Sequence, residues 1–561
     1  MLWHLIDTLR LTMDNPNSNR GCIEIFTIES RAISGPGFPY AQDEASPYHL
    51  CNNPAEKMAL FDNDFVDWMR ENRDHIITHC AELIRQSDPI VEMSQWQPHS
   101  KKFYPRALFG IYLSMRFEQA CVIAKGLGIK INRFNGYEAV DGVTREDRFE
   151  LTIRCLKDDS RQHLSRLDKV LLASGHWHPN QHPTTHILSS PYPASDIHKT
   201  ILAYQKKRAR GTLICYVHGM GPSAVDAILS VCEYGRFSYD ATGLATKFEP
   251  NWEGFLTSEV KIISGSRSGY FPSVRWPTVD HDFQFLVEDQ LDAIKKKNKG
   301  KLPLDELIWL IDAELRGASN NAIGFGEVCT PTVSSAYKKL LTDMRGFYTE
   351  RLIHTVILRA RRLKFYQCLN AEDKRKYDNE LDPHFIKTAV PIPLPNARKL
   401  AALFEANVLS SIRLGHHSEL NPPFEINTPN ATIQPHIVIC AHHKHYDVKC
   451  HPSLLIRNLI DHQEVLEYNQ NGYQPGGICA DASSVFRVTN RIKGYCDLST
   501  HLYAFGPVSQ YWQNQNNYAA AFVNAAIVVA KDWAIYTKVD DQETGLPSEY
   551  GECPSNLFAR R

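Results

Sequence analysis

The chain has 561 residues, too many for one hydrophobic core, so about two to four domains are expected. Its 62 basic and 63 acidic residues leave a net charge of −1, which excludes a global field drawing it to nucleic acid or an anionic membrane. Hydrophobic residues make up 43% and aromatic residues 10%, as ordinary globular cores require.

Met1 to Leu11 has the pattern of an amphipathic helix, with neither a basic flank nor a cleavage site ahead of it, and Asp14 to Arg20 is a polar loop. Cys22 to Ile28 reads as a strand closing on Glu29, followed by the Gly/Pro-rich turn Ser34 to Tyr40. Phe61–Cys80 and Tyr104–Leu127 are predicted helices. Phe149–Arg154 and Lys169–Ala173 are predicted strands, the second running into Ser174-Gly175-His176. Pro179 to Pro193 holds several prolines and no periodicity, the composition of a linker.

Leu213 to Val217 is a short apolar strand that runs into Gly219-Met-Gly221-Pro-Ser223-Ala224 and then a helix. This is a G-x-G-x-x-A dinucleotide fingerprint in its strand–turn–helix setting; the alternative is an ordinary tight βα turn. Gly219 permits the turn, Gly221 lets a pyrophosphate approach the backbone, and Ala224 lets helix and strand pack closely. The helix start at Ser223 offers N–H groups and a partial positive charge to phosphates. Val260–Ser264 is the next strand, followed by Gly265 to Gly269.

From about 282 to 420 the pattern is helical, with amphipathic segments at Asp305–Leu315 and Val333–Leu358 and a break at Pro391–Pro395. The basic run Lys295–Lys301 reads as a solvated helix end. A third α/β region starts at Pro435–Ala441 and ends with Leu502 to Pro507 and a helix from about Asn516 to Ile535. No apolar run reaches the length of a membrane span; the best candidate, Ala519–Ala530, contains Asn524. The 14 cysteines form no C-x-x-C pair and suit reduced thiols of a cytoplasmic protein. The histidines His442, His443, His445 and His451, and the pair His416 and His417, match no metal-ligand spacing, and no G-x-S-x-G nucleophile elbow occurs.

Five segments in order resemble the two-dinucleotide FAD/NAD(P)-binding flavoproteins, related in layout to flavin-dependent N-hydroxylating monooxygenases. They are Gly35 to Tyr40 with His49 to Met58, Asp168 to His176, the Gly219 turn, Ile262 to Pro272, and Leu502 to Pro507. The resemblance implies an α/β fold of two Rossmann-like lobes. A discontinuous FAD-type lobe would be built from 1–205 and 430–561. An NAD(P)-type lobe would occupy 206–281, with a helical elaboration and return at 282–429.

The resemblance also implies roles. Glu29 would take the adenosine ribose of FAD, or is otherwise a solvated strand-end acid. Gly37, Tyr40, Asn52 and Met58 would lie against the flavin, with Asn52 the candidate catalytic amide. Ala173 and Gly175 mark the crossover between lobes, beside His176 and His178. Gly506 and Pro507 end beside the flavin. Arg267, helped by Ser266, would fork onto a ribose 2′-phosphate and so prefer NADPH to NADH, or is otherwise a surface arginine in a turn.

The implied activity is hydride transfer from NAD(P)H to FAD, with a monooxygenase needing a dry pocket for an amine or other soft nucleophile. The expected partner is a small-molecule substrate rather than nucleic acid or membrane, and the expected location is cytoplasmic. One departure counts against FAD. The family opens with a strand and a G-x-G-x-x-G turn, nothing before Ile23 supplies either, and Met1–Leu11 resembles the helix that should follow them. FAD binding by this chain is expected to be weak. The competing reading is a degenerate nucleotide-binding protein without catalysis.

Overall fold

The computed structural model describes residues 1–13, 22–177, 186–207, 211–251, 259–331, 333–415, 425–427, 432–442, 447–492, 494–513 and 517–536. At its centre is a five-stranded sheet. Leu213–His218 is buried along nearly its whole length, as its unbroken apolar string requires of a central parallel strand. Val260–Ser266 lies parallel to it on one side and Ile437–Cys440 on the other. Leu409–Arg413 extends the first side and Ile187–Leu188 the second, again parallel. After Leu213–His218 the chain therefore works outward on one side, then returns to the other. The carboxyl end of Leu213–His218 is the switch point of the sheet, where a doubly wound fold opens a crevice.

Three of these strands refine the expected organisation. Leu409–Arg413 falls inside the stretch expected to be helical; it carries Ser410 and Ser411 on an outer strand, where a continuous apolar string is not needed. Ile437–Cys440 and Ile187–Leu188, placed by chain position in the two parts of the FAD-type lobe, are hydrogen-bonded in this sheet instead. Local pattern identifies a strand but not its neighbour. Helices Ala194–Lys207, Pro222–Val231 and Leu394–Glu405 contribute Ile197, Ile201, Ala224, Ala227, Ile228, Ala397 and Leu400 to the core around the sheet.

The remaining strands are arranged differently. Glu24–Glu29 pairs in parallel with Lys130–Asn135 as an isolated two-stranded piece. Val170–Leu172 pairs in parallel with Tyr495–Ala504, which pairs antiparallel with Arg487–Ile492. Among the described residues no strand joins the two pieces. A separate antiparallel meander runs through Tyr137–Arg145, Arg148–Cys155 and Arg161–Leu167. The expected opening helix is Leu2–Met13, and it packs with Ala519–Tyr536 through Leu5, Ile6, Leu9, Ala530 and Ala534.

The helical elaboration has its own core, built from Leu307, Leu310, Ile311, Val356, Ile357, Phe365 and Phe385. The predicted segment Val333–Leu358 is two helices, Ala336–Asp343 and Tyr348–Arg362. Gly346 breaks it with φ 63, and a Cβ there would stand 2.5 Å from the Trp276 ring. Phe61–Cys80 likewise divides into Asp64–Glu71 and Arg73–His79. Arg106–Gly126 is long and apolar enough to cross a membrane by composition, which corrects the expectation that no such segment exists. Here it buries Leu108, Phe109, Tyr112, Ala120 and Ala124 within the chain, and its Arg116 forms an ion pair with buried Asp64.

A buried polar knot ties the lobes together. The Arg106 guanidinium lies 2.7 Å from the carboxylate of Asp226, which sits on the helix Pro222–Val231. The Tyr192 hydroxyl donates to the same carboxylate at 2.5 Å. His49 Nε2 lies 2.9 Å from Ser230 Oγ, and burial pushes the His49 imidazole down to about 4.

Candidate nucleotide-binding site

The turn Gly219–Ala224 stands at the switch point. Its geometry separates the roles of its two glycines. Gly219 has φ 130, and a Cβ there would stand 2.5 Å from the Ala441 carbonyl oxygen of the neighbouring strand's end. Its N–H donates to Gly265 O at 2.8 Å, and its carbonyl accepts from Ser264 Oγ at 2.8 Å. Gly219 thus sutures three strand ends and tolerates no side chain. At Gly221 φ is −78 and, among the described residues, no atom lies within 4 Å of a Cβ position. Its lack of a side chain answers no neighbour among the described residues.

Pro222 opens the helix at its first turn, where a missing N–H costs nothing, and Ala224 is fully buried against the sheet. Ser223 is half-buried at the same helix start. Arg267 leaves the carboxyl end of Val260–Ser266 two residues beyond Gly265. It is exposed, and its guanidinium donates to Asn379 O at 3.2 Å. The fingerprint residues and Arg267 are thereby brought to one edge of one sheet, the carboxyl edge.

The proposed flavin-side residues occupy the other lobe. Glu29 ends its strand as expected, but its carboxylate accepts from Arg31 N at 3.1 Å and Arg31 Nε at 3.2 Å. Gly37 precedes a single 3-10 turn, Phe38–Tyr40, and the Tyr40 ring meets Phe109 edge-on at 4.9 Å. Burial pushes the Tyr40 phenol well up. Asn52 is half-buried, and its amide makes no hydrogen bond among the described residues. Met58 is core. Ala173 is exposed and Gly175 half-buried past the end of Val170–Leu172, while Gly506 and Pro507 are buried past the end of Tyr495–Ala504. These two turns follow adjacent parallel strands and so share an edge.

His176 Nε2 lies 3.0 Å from the Asn517 amide nitrogen. The His442 ring lies 4.4 Å from His218, and the His451 ring lies 4.2 Å from Trp177. His178, His416, His417, His443 and His445 lie outside the described residues. Among the described residues no three His, Cys, Asp or Glu side chains are grouped to hold a metal ion. Sequence reasoning missed Arg106 and Asp226. The usable signal was Asp226 itself, one acid within the otherwise apolar and small run Ala224–Val231, a type of residue rarely buried without a partner.

A strand–glycine turn–helix unit at the switch point of a parallel sheet defines an α/β fold of the dinucleotide-binding class. Residues 1–177 match the family model described as FAD-NAD(P)-binding. Among solved structures, the reduced form of ornithine hydroxylase (PvdA) from Pseudomonas aeruginosa aligns at TM-score 0.42 and 11% identity, over 96% of this chain and 97% of that one. The FAD-bound cadaverine monooxygenase DfoA from Erwinia amylovora aligns at TM-score 0.42 and 10% identity, over 98% and 97%. L-lysine 6-monooxygenase from Pseudomonas syringae aligns at TM-score 0.40 and 10% identity, over 95% and 96%. No curated protein matches the chain.

Proposed function

We propose that the chain is an NAD(P)H-dependent oxidoreductase of the FAD/NAD(P) type, with the coenzyme pyrophosphate held over Gly221. The observation that carries this reading is the contrast between the two glycines. Gly219 is demanded by the fold, whereas among the described residues no neighbour demands a glycine at 221. Backbone N–H groups at Gly221 and Ser223 and the start of the helix would hold the phosphates. Ala224 keeps that helix close to the sheet, so the charge at its N-terminus is presented at the crevice.

When both cofactors are bound, they supply hydride transfer from nicotinamide to flavin, with electrons passing on to oxygen or another acceptor. For the flavin the residues fit in part. Glu29, Gly175 and Gly506 follow strand ends where ribose and ring would lie, and Asn52 has a free amide. A pyrophosphate cradle is absent among the described residues of that lobe. The split sheet therefore favours a second reading, a nucleotide-binding protein that does not retain FAD.

The test is titration of NADPH by nicotinamide fluorescence against the wild type and Gly221→Val. A branched side chain above the turn is expected to weaken binding about a hundredfold, equivalent to about 2.7 kcal/mol. The fold should persist, since the Cβ meets no atom. Equal affinities would remove the site.

A further inference from the structure

A short segment of the expected FAD-type lobe, Ser46 to His49, is set into the lobe that carries the five-stranded sheet. Its His49 reaches Ser230 on the helix Pro222–Val231. Just ahead of the segment, Ala194 N donates to Glu44 O at 3.0 Å. Tyr48 meets Phe237 edge-on with ring centroids 6.0 Å apart, and Phe237 packs on Phe248 at 4.8 Å. On its own side the segment is held by the His49 carbonyl, which accepts from Arg106 N at 2.8 Å. Three residues further along the chain stands Asn52.

Lys399 ends against this segment. It comes from the helix Leu394–Glu405, is 1% exposed, and its Nζ makes no hydrogen bond among the described residues. The Nζ stands 4.5 Å from the centre of the Tyr48 ring and 5.7 Å from that of Phe237. The side chain thus ends between two rings supplied by different lobes. An ammonium buried with neither hydrogen bond nor counterion is costly, and two ring faces repay only part of that cost. Burial pushes the Lys399 ammonium down to about 7, from an ordinary 10.5.

The titratable groups on the surrounding elements do not counter that charge. Burial, then Tyr239, Glu233 and Cys232, hold the Tyr48 phenol in its neutral form. Burial likewise raises Glu233, Cys232 and Tyr239. Ahead of the segment, burial and then Asp43 raise Glu44. His49 is held down near 4. The remaining charges of these elements have partners elsewhere. Lys247 pairs with Glu249, Glu405 accepts from Tyr337, Arg236 acts on Glu249, and Arg398 acts on Asp240.

We propose that Lys399 is a proton-operated release for Ser46–His49: the neutral amine lets Tyr48 close over it, and the ammonium drives Tyr48 outward so that water reaches the charge. The closed state binds one proton fewer than the open state. Closure is therefore favoured as the pH rises from about 7 towards 10.5. Below about 7 Lys399 is charged in both states, and the dependence ends. Release loosens the contact between the lobes and shifts the chain that leads into Asn52. This device stands apart from the nucleotide reading of the Gly219–Ala224 turn.

The experiment is amide hydrogen exchange on the full chain, with rates corrected for intrinsic base catalysis. Protection of the His49 and Arg106 amides is compared with that of the remote helix Leu304–Ala318. In the wild type, protection at His49 and Arg106 should rise by up to about tenfold per pH unit between about pH 7 and pH 9, while the remote helix stays level. Lys399→Met keeps the length and removes the buried charge. It should hold protection high and flat over the same range. Lys399→Arg, charged throughout, should hold it low and flat. Tyr48→Phe keeps the ring and should keep the wild-type slope. Wild-type protection that is flat or falls with pH would overturn the release, whether or not the lysine variants fold. So would an unchanged slope in Lys399→Met, or an equal slope in the remote helix, which marks global unfolding. Loss of the slope in Tyr48→Phe would assign the titration to the phenol and overturn the role of Lys399.

Discussion

The two lobes present opposite halves of one recognition problem. The five-stranded sheet is continuous through its switch point, and there it offers a glycine turn, a helix start and open space above Gly221. The other lobe keeps the flanking features: an acid at a strand end, two turns past parallel strands, and a free amide at Asn52. Its sheet is in two pieces, with no phosphate cradle among the described residues. A dinucleotide needs both the flanks, which choose it, and the cradle, which neutralises its pyrophosphate. Among the described residues one lobe offers candidates for both and the other candidates for the flanks.

The largest test of this contrast uses a single preparation of the 561-residue chain. Losing three charge-assisted bonds to a pyrophosphate, each worth about 1.5–3 kcal/mol, moves a nanomolar site to micromolar or weaker. FAD is therefore expected to separate from the protein during gel filtration and leave no visible absorption, while NADPH still binds by fluorescence. Stoichiometric retained flavin would break the comparison.

The next test cuts the junction. Asp226→Ala leaves the Arg106 guanidinium buried without its counterion, and is expected to cost about 3–5 kcal/mol in chemical denaturation. Two separate unfolding transitions in the variant, where the wild type shows one, would show that this knot joins otherwise independent lobes.

The third test is pH. His49 is held neutral in the fold at a value near 4, against an ordinary 6.5. The folded state therefore binds fewer protons than the unfolded one across that window. Stability should be complete above about pH 6.5 and fall by on the order of 3 kcal/mol as the pH drops to about 4. His49→Gln should flatten that part of the stability profile. An unchanged slope would mean that His49 does not titrate on unfolding.

Much of the candidate nucleotide site was legible because its signals are local. An apolar string, two glycines at fixed spacing and an alanine specify strand, turn and helix within a dozen residues. Arg267 was legible for the same reason. The sheet order was hidden: Ile437–Cys440 reads as a strand from its residues, but its place beside Leu213–His218 is a long-range fact. The meander that follows Lys130–Asn135 was legible only at its middle strand. Tyr137–Arg145 mixes Glu138, Asp141 and Gly142 among its apolar positions and hides its alternation.

Asp226 lies two positions beyond Ala224, on the helix whose first turn faces the proposed coenzyme site, and its carboxylate is held by Arg106 of the other lobe. Any ligand that steadies that helix therefore also raises the work needed to pull Arg106 away. Saturating coenzyme at a hundred times its dissociation constant stabilises the folded state by about 2.7 kcal/mol, and the knot shares that gain across both lobes. NADPH should thus protect from proteolysis the lobe it does not touch.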